Sequence, residues 1–151
     1  MKEAEQLELL QLLKKTYSAF SKKDIKALRQ LGDHVIEDAS IFQDDYTISL
    51  AIIICTLSKI LERGDYESHS KWKEFYKNSL NGLKQLLNYL SNSNFKKYSE
   101  TLKNLLRNIE GIDKKVPLYI EDLLNSSKIK KGSNIYSYGI SLGRAAELLG
   151  I

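Results

Sequence analysis

Apolar residues recur at steps of three and four along most of the chain, the spacing that places side chains on one face of an α-helix. The first set is Leu10, Leu13, Tyr17 and Phe20. Residues 21–24 interrupt it, and Asp24 is suited to cap a second helix because its carboxylate can accept a hydrogen bond from a free backbone N–H. The second set is Ile25, Leu28, Leu31, Val35, Ile36 and Ala39. The pattern predicts two helices joined by a short polar turn.

The third predicted helix, residues 46–62, is apolar almost all round. Its apolar residues are Ile48, Leu50, Ala51, Ile52, Ile53, Ile54, Cys55, Leu57, Ile60 and Leu61. A helix without a polar face is expected in the interior, so we place it in the middle of a bundle. Gly64 stands where a glycine commonly ends a helix.

Two further helices follow, separated by the polar residues 91–94. The apolar stripe of the fourth comprises Trp72, Phe75, Tyr76, Leu80, Leu83, Leu86, Leu87 and Leu90. We interpret this stripe as core, the alternative being an oligomer interface. The stripe of the fifth comprises Phe95, Tyr98, Leu102, Leu105, Leu106 and Ile109. The short break predicts antiparallel neighbours, and Gly111 is expected to end the fifth helix.

The last part of the chain predicts two more helices. Pro117 suits the first turn of a sixth helix that continues to residue 124, and residues 142–149 form a seventh. We therefore predict an all-α fold, a single bundle of six to seven helices with mostly antiparallel neighbours. Residues 1–125 form the bundle, and residues 126–151 form a basic loop and a C-terminal helix. No repeat of fixed period is evident.

Composition narrows the class of protein. The chain has 151 residues, 42% of them hydrophobic and 28% charged, which is typical of a folded domain. Cys55 is the single cysteine, so no intramolecular disulfide can form. The acidic N-terminus does not resemble a signal peptide, and the apolar run 48–57 is short for a bilayer crossing. These features predict a cytoplasmic protein that does not use a membrane.

Charge is distributed unevenly along the sequence. Residues 1–75 contain 11 basic and 13 acidic side chains, whereas residues 76–151 contain 12 basic and 6 acidic ones. A basic half is typical of proteins that bind an anionic partner, with nucleic acid as the first candidate. The alternative is that these lysines only solvate helix surfaces.

The C-terminal sequence GISLGRAAELLGI, residues 139–151, has the features of a positioning helix and its turn. Ser141 can act as N-cap, Ala145 and Ala146 form the small pair at a close helix crossing, and Gly150 can form the turn. This segment resembles the first half of a prokaryotic helix-turn-helix, as in small antitoxin-type DNA-binding proteins. The resemblance implies DNA binding through a recognition helix that would begin after Ile151. Three explanations of the missing recognition helix are open. The natural chain continues beyond Ile151, a second chain completes the motif, or the segment has only a structural role.

Lysines and tyrosines precede this tail. Lys128, Lys130 and Lys131 can contact phosphates, and the rings of Tyr136 and Tyr138 can stack on bases, although the same stretch could form a small β-hairpin. The candidate nucleic-acid contacts are Lys128, Lys130, Lys131 and Arg144, with Lys114 and Lys115 as outer candidates.

Candidate catalytic groups are few. Arg29 and His34 have the R-x4-6-H spacing that resembles HEPN ribonucleases, small helical proteins, and this implies phosphodiester cleavage by that pair. His34 with Glu37 and Asp38 has the spacing of a metal-binding helix face, but a solvated face is the simpler reading, so we predict no metal site. Phosphate-binding Gly-rich loops, C-x-x-C pairs and nucleophile elbows are absent from the sequence.

The sequence therefore favours a non-catalytic binding protein without a cofactor, associated with nucleic acid through a basic C-terminal face. The alternative is a protein-interaction or scaffold module, with a protein partner or a homodimer mate on the tail helix. A HEPN-like ribonuclease is the third hypothesis.

Overall fold

Five α-helices account for most of the chain that the structure describes. The computed structural model describes residues 1–42, 45–115 and 118, and within these ranges it contains no strand. The helices are α1 (Glu3–Ser21), α2 (Ile25–Phe42), α3 (Asp45–Arg63), α4 (Trp72–Ser91) and α5 (Phe95–Ile112), with a 3-10 turn at Tyr66–Ser68. The all-helical class is confirmed for this part of the chain. The predicted sixth and seventh helices and residues 126–151 lie outside the described residues.

The helix ends follow the local signals in the sequence. Asp24 Oδ1 accepts a hydrogen bond from the Ala27 N–H at 3.0 Å, so its predicted role as N-cap is confirmed. Gly64 follows α3 with φ +72°, a conformation that favours glycine. The prediction for Gly111 was wrong by a short distance: this glycine is helical and α5 continues to Ile112. The following residue, Asp113, is extended and its N–H still bonds to the Ile109 carbonyl.

The centre of the core is α3, as the sequence predicts. Its fully buried apolar side chains are Leu50, Ala51, Ile52, Ile53, Ile54, Leu57 and Ile60, and the helix packs mainly against α2 and also against α5. The leucine stripe of α4 is also core: Leu83, Leu86 and Leu90 are completely buried within this chain. Each such leucine contributes about 1.5–3 kcal/mol through burial. Within the described ranges, no helix combines the length and the apolar character that a membrane crossing requires.

Two helical hairpins frame this core and have the same turn. The first hairpin is α1–α2 and the second is α4–α5. Lys23 and Ser93 hold the left-handed conformation in their turns, with φ 53° and 56°. Asn94 caps α5 through Oδ1 just as Asp24 caps α2. The backbone hydrogen bonds of the two turns correspond one to one after a shift of 70 residues, for example Asp24 N–H to Ala19 O and Asn94 N–H to Tyr89 O.

The hairpins also contact each other reciprocally along α1 and α4. Gln6 Nε2 in the first turn of α1 donates to the Leu90 carbonyl at the end of α4, at 2.6 Å. Tyr76 in α4 donates its hydroxyl to the Phe20 and Ser21 carbonyls at the end of α1, at 3.3 and 2.9 Å. Gln6 and Tyr76 are equivalent after the 70-residue shift, and so are Phe20 and Leu90. The two helices are therefore antiparallel and related by an approximate twofold axis.

Candidate functional site

Each hairpin presents a groove between its two helices, and six of the positions that line one groove are equivalent to six that line the other. The first groove, of about 470 Å³, includes Glu8, Gln11, Leu12, Lys15, Leu31 and His34. The second groove, of about 510 Å³, includes Asn78, Asn81, Gly82, Gln85, Thr101 and Asn104. The positions of the second set are those of the first set plus 70, in the same order. The molecule thus contains one surface feature twice, with different chemistry in each copy.

A cluster of ionisable groups from two helices borders the first groove, and two of its three residues, Glu8 and His34, line that groove. Glu8 projects from α1, and His34 and Asp38 project from successive turns of α2. His34 Nε2 lies 3.1 Å from Glu8 Oε1 and 3.5 Å from Asp38 Oδ2. Each of the three residues offers one possible ligand atom, a ring nitrogen or a carboxylate oxygen, and these atoms all lie within 4.8 Å of one another. This arrangement brings one imidazole and two carboxylates to a single point.

Asp38 is the most shielded member of this cluster. Its side chain is 15% exposed, whereas that of His34 is 54% exposed. Burial raises the pKa of Asp38, the positive charge of His34 opposes this, and the charges of Glu8 and Glu37 raise the pKa further. The Oδ2 atom is closed to solvent, and a side-chain hydrogen bond between the Asp38 and Glu8 carboxyl groups raises the pKa as well. The Asp38 carboxyl group is therefore poorly solvated and lies close to a second carboxyl group.

The second groove replaces these ionisable groups with amides. Asn78 stands at the position of Glu8, Asn104 at that of His34 and Asn108 at that of Asp38. Asn108 donates through Nδ2 to the Phe75 carbonyl at 3.2 Å and to Ser79 Oγ at 3.0 Å, which fixes its orientation. The exposed amides lining the groove are Asn78, Asn81, Gln85 and Asn104. Because an amide both donates and accepts hydrogen bonds, this groove can bind a neutral polar surface.

Basic residues extend the second groove toward one end of the hairpin. Arg107 and Asn108 line it and also line an adjoining depression of about 250 Å³ that includes Lys71 and Gly111. The position equivalent to Arg107 in the first hairpin is Glu37. Helices α4 and α5 together carry seven basic and three acidic residues, whereas α1 and α2 carry four basic and six acidic ones. The electrostatic difference predicted between the two halves is therefore concentrated in the hairpins.

The outer candidates for nucleic-acid contact follow α5 directly. Lys114 and Lys115 are exposed, and the Lys115 N–H donates to Asp113 Oδ1 at 2.9 Å. Asp113 is itself buried and lies 3.4 Å from Arg63 Nη1, so the start of this segment is held against the end of α3. The other candidates, Lys128, Lys130, Lys131 and Arg144, lie outside the described residues.

The residues of the proposed ribonuclease pair engage different helices. Arg29 Nη2 lies 2.8 Å from Glu62 Oε1 on α3, while His34 faces Glu8 on α1. A separation of five positions corresponds to about 140° of rotation around a helix, which accounts for the divergence. The structure does not bring Arg29 and His34 to a common site.

Cys55 is not placed for nucleophilic chemistry. Burial raises the pKa of its thiol to about 12, and the nearby charge of Asp33 acts in the same direction. Because the thiolate is the reactive form, this cysteine remains a protonated part of the interior near neutral pH.

Sequence reasoning missed Glu8 and the amide groove. Glu8 is 26 residues from His34, and in the sequence it stands out only as part of an acidic N-terminus. A usable signal was the recurrence of Ser21 and an Asx cap at Asp24 as Ser91 and Asn94, each 70 residues later, which marks two equivalent turns. Comparison of this chain with known protein families, with curated proteins and with solved structures finds no match.

Proposed function

We propose that this protein is a non-catalytic nucleic-acid-binding protein and that the second groove is its main contact surface. The observation that carries the proposal is the exposed amide row joined to Arg107 on the basic hairpin. Amide side chains hydrogen-bond both donors and acceptors on base edges, and a guanidinium binds phosphate through a fork of N–H donors. Both types of contact are therefore available in one groove.

The dimensions of the groove favour a single strand. Its floor is formed at Gly82 and Leu105, where the helices approach closely, and amides from α4 and α5 line its two sides. A groove of about 510 Å³ is much smaller than a duplex, but it has space for unpaired bases whose edges are free. Lys71 and the exposed Lys114 and Lys115 extend the basic character beyond Arg107, which supports a strand running toward that end.

The amide row also favours a second candidate, a protein-interaction module. The backbone of an extended peptide presents the same alternation of donors and acceptors, and exposed amides can pair with it. The two candidates differ in their dependence on salt. Phosphate binding releases counterions and weakens steeply as salt increases, whereas backbone pairing to a neutral peptide does not.

Fluorescence anisotropy of labelled single-stranded RNA, single-stranded DNA and duplex DNA across a salt series tests the proposal. Arg107→Gln should weaken binding of a single strand and reduce the salt slope by about one unit, as expected for one lost phosphate contact. Lys84→Gln is the matched control, because it removes the same charge from α4 at a site where Nζ lies over the Tyr17 ring, on the side facing α1. It should have a much smaller effect.

A third variant, with Lys128, Lys130 and Lys131 changed to Ala, separates the groove from the predicted basic loop. Far-UV circular dichroism and the thermal unfolding midpoint verify that each variant is folded. Equal losses in Arg107→Gln and Lys84→Gln would show that binding depends on net charge and not on the groove. Absence of binding to all three nucleic acids at low salt would refute the proposed function.

A further inference from the structure

We propose that Glu8, His34 and Asp38 form a binding site for a divalent transition-metal ion at the edge of the first groove. This inference is independent of the nucleic-acid function proposed for the second groove. Imidazole nitrogen together with carboxylate oxygen is a donor set that zinc and its neighbours in the first transition row accept. The three residues come from two helices whose relative position is fixed by the core.

The distances fit an ion held between the three side chains. Zinc bonds to nitrogen and oxygen are about 2.0–2.2 Å long, so neighbouring ligand atoms of a tetrahedral site are about 3.3–3.6 Å apart. The separations of His34 Nε2 from Glu8 Oε1 and from Asp38 Oδ2 are 3.1 and 3.5 Å. Ligand atoms from all three residues lie within 4.8 Å of each other, so adjustments of side-chain rotation suffice for coordination.

The cluster has more hydrogen-bond acceptors than donors, which favours a cation between its three side chains. Nε2 of His34 can carry at most one hydrogen atom, yet two carboxylate oxygens approach it. The Asp38 Oδ2 atom is closed to solvent, and the Asp38 carboxyl group lies so near that of Glu8 that the two can share either a proton or a cation. Two carboxylates at this separation repel each other when both are ionised. A divalent ion would satisfy the oxygens of both residues and cancel their charge.

The second groove provides an internal comparison. The equivalents of Glu8, His34 and Asp38 are Asn78, Asn104 and Asn108, and amides are poor ligands for transition metals. The same backbone frame therefore accommodates a neutral set of side chains, and the ionisable set in the first groove is not required by the hairpin itself. Because Glu8 and His34 line an open groove of about 470 Å³, water or a small ligand can complete the coordination.

Isothermal titration calorimetry, in which ZnCl₂ is added to the metal-free full chain, tests this site. We expect one saturable site per chain, and His34→Asn, which introduces the residue found in the second groove, should weaken it at least about tenfold. His69→Asn is the matched control, because His69 is exposed and its Nδ1 accepts the Lys71 N–H at 3.1 Å, far along the chain from the cluster. It should leave the affinity unchanged.

Cobalt(II) provides a spectroscopic test that does not depend on heats of binding. Its visible absorption should develop in the wild-type chain with the stoichiometry of the zinc titration and be absent in Asp38→Asn. That variant removes a poorly solvated charge, so we expect it to fold even if His34→Asn does not. Absence of saturable binding to the wild type would overturn the proposal, and so would equal affinity of the wild type and Asp38→Asn.

Discussion

Gly82 lies where α4 packs closely against α5, and its replacement by alanine tests this packing. A Cβ atom added at Gly82 would lie 3.1 Å from Leu105 Cδ1, and Leu105 is 3% exposed. Glycine to alanine within a helix contributes about 1 kcal/mol to stability. Overpacking of a filled core costs about 1–3 kcal/mol. Gly82→Ala should therefore change the free energy of unfolding by between about zero and a loss of 2 kcal/mol.

The first hairpin indicates how the conflict can be relieved. Its equivalent pair is Leu12 and Val35, so the larger side chain is on the first helix and the smaller one on the second. In a Leu105→Val background, the added methyl group of Gly82→Ala has space to occupy. There the substitution should raise the free energy of unfolding by about 1 kcal/mol. The coupling between the two changes should be about 1–3 kcal/mol.

Two other glycines serve as controls for the same substitution. Gly111→Ala meets no atom within 4 Å and should raise stability by up to about 1 kcal/mol. Gly64→Ala should lower it by about 1–2 kcal/mol because its φ is +72°. Urea unfolding followed by circular dichroism at 222 nm measures all four changes. The reasoning fails if Gly82→Ala stabilises the protein as much as Gly111→Ala, or if Leu105→Val leaves its effect unchanged.

Two further predictions concern Asp38 and the helix caps. Because the pKa of Asp38 is raised in the folded state, its ionised form opposes folding, and this penalty is absent below the ordinary value of 3.8. Without metal, Asp38→Asn should raise the thermal unfolding midpoint at neutral pH and have little effect below that pH; a lower midpoint at neutral pH would show that attraction to His34 dominates. Asp24→Ala and Asn94→Ala should each lower the free energy of unfolding by about 1 kcal/mol in urea titrations, and a negligible change in either would contradict its role as a cap.

The helices were predictable because the signals that start and end them are local. Asp24 caps α2 by reaching a backbone N–H three residues away, and Gly64 supplies a conformation that its own lack of a side chain permits. The error at Gly111 has the same origin. A glycine can end a helix but does not have to. Helix α5 continues one residue beyond Gly111 because the side chain of Ile112 is buried in the core.

The candidate sites were predictable only in part because they depend on contacts between helices. The spacing of His34 and Asp38 on one helix was visible in the sequence, whereas the third residue, Glu8, joins them only when α1 packs beside α2. The two grooves were hidden for another reason. Their equivalent positions hold different residue types, such as Leu12 and Gly82, so the correspondence is visible in the sequence at the turns and not at the groove residues.

The two hairpins share the roles of their buried and capping positions and differ in the residue types at their groove positions. The positions that stabilise the backbone of each hairpin have the same role in both copies. The buried pairs are Leu13 and Leu83, and Leu28 and Tyr98, and the capping pair is Asp24 and Asn94. The groove positions are mostly exposed, and substitutions at such positions usually change stability by less than about 0.5 kcal/mol. One groove can therefore hold an imidazole with two carboxylates and the other a row of amides, while both retain the same backbone.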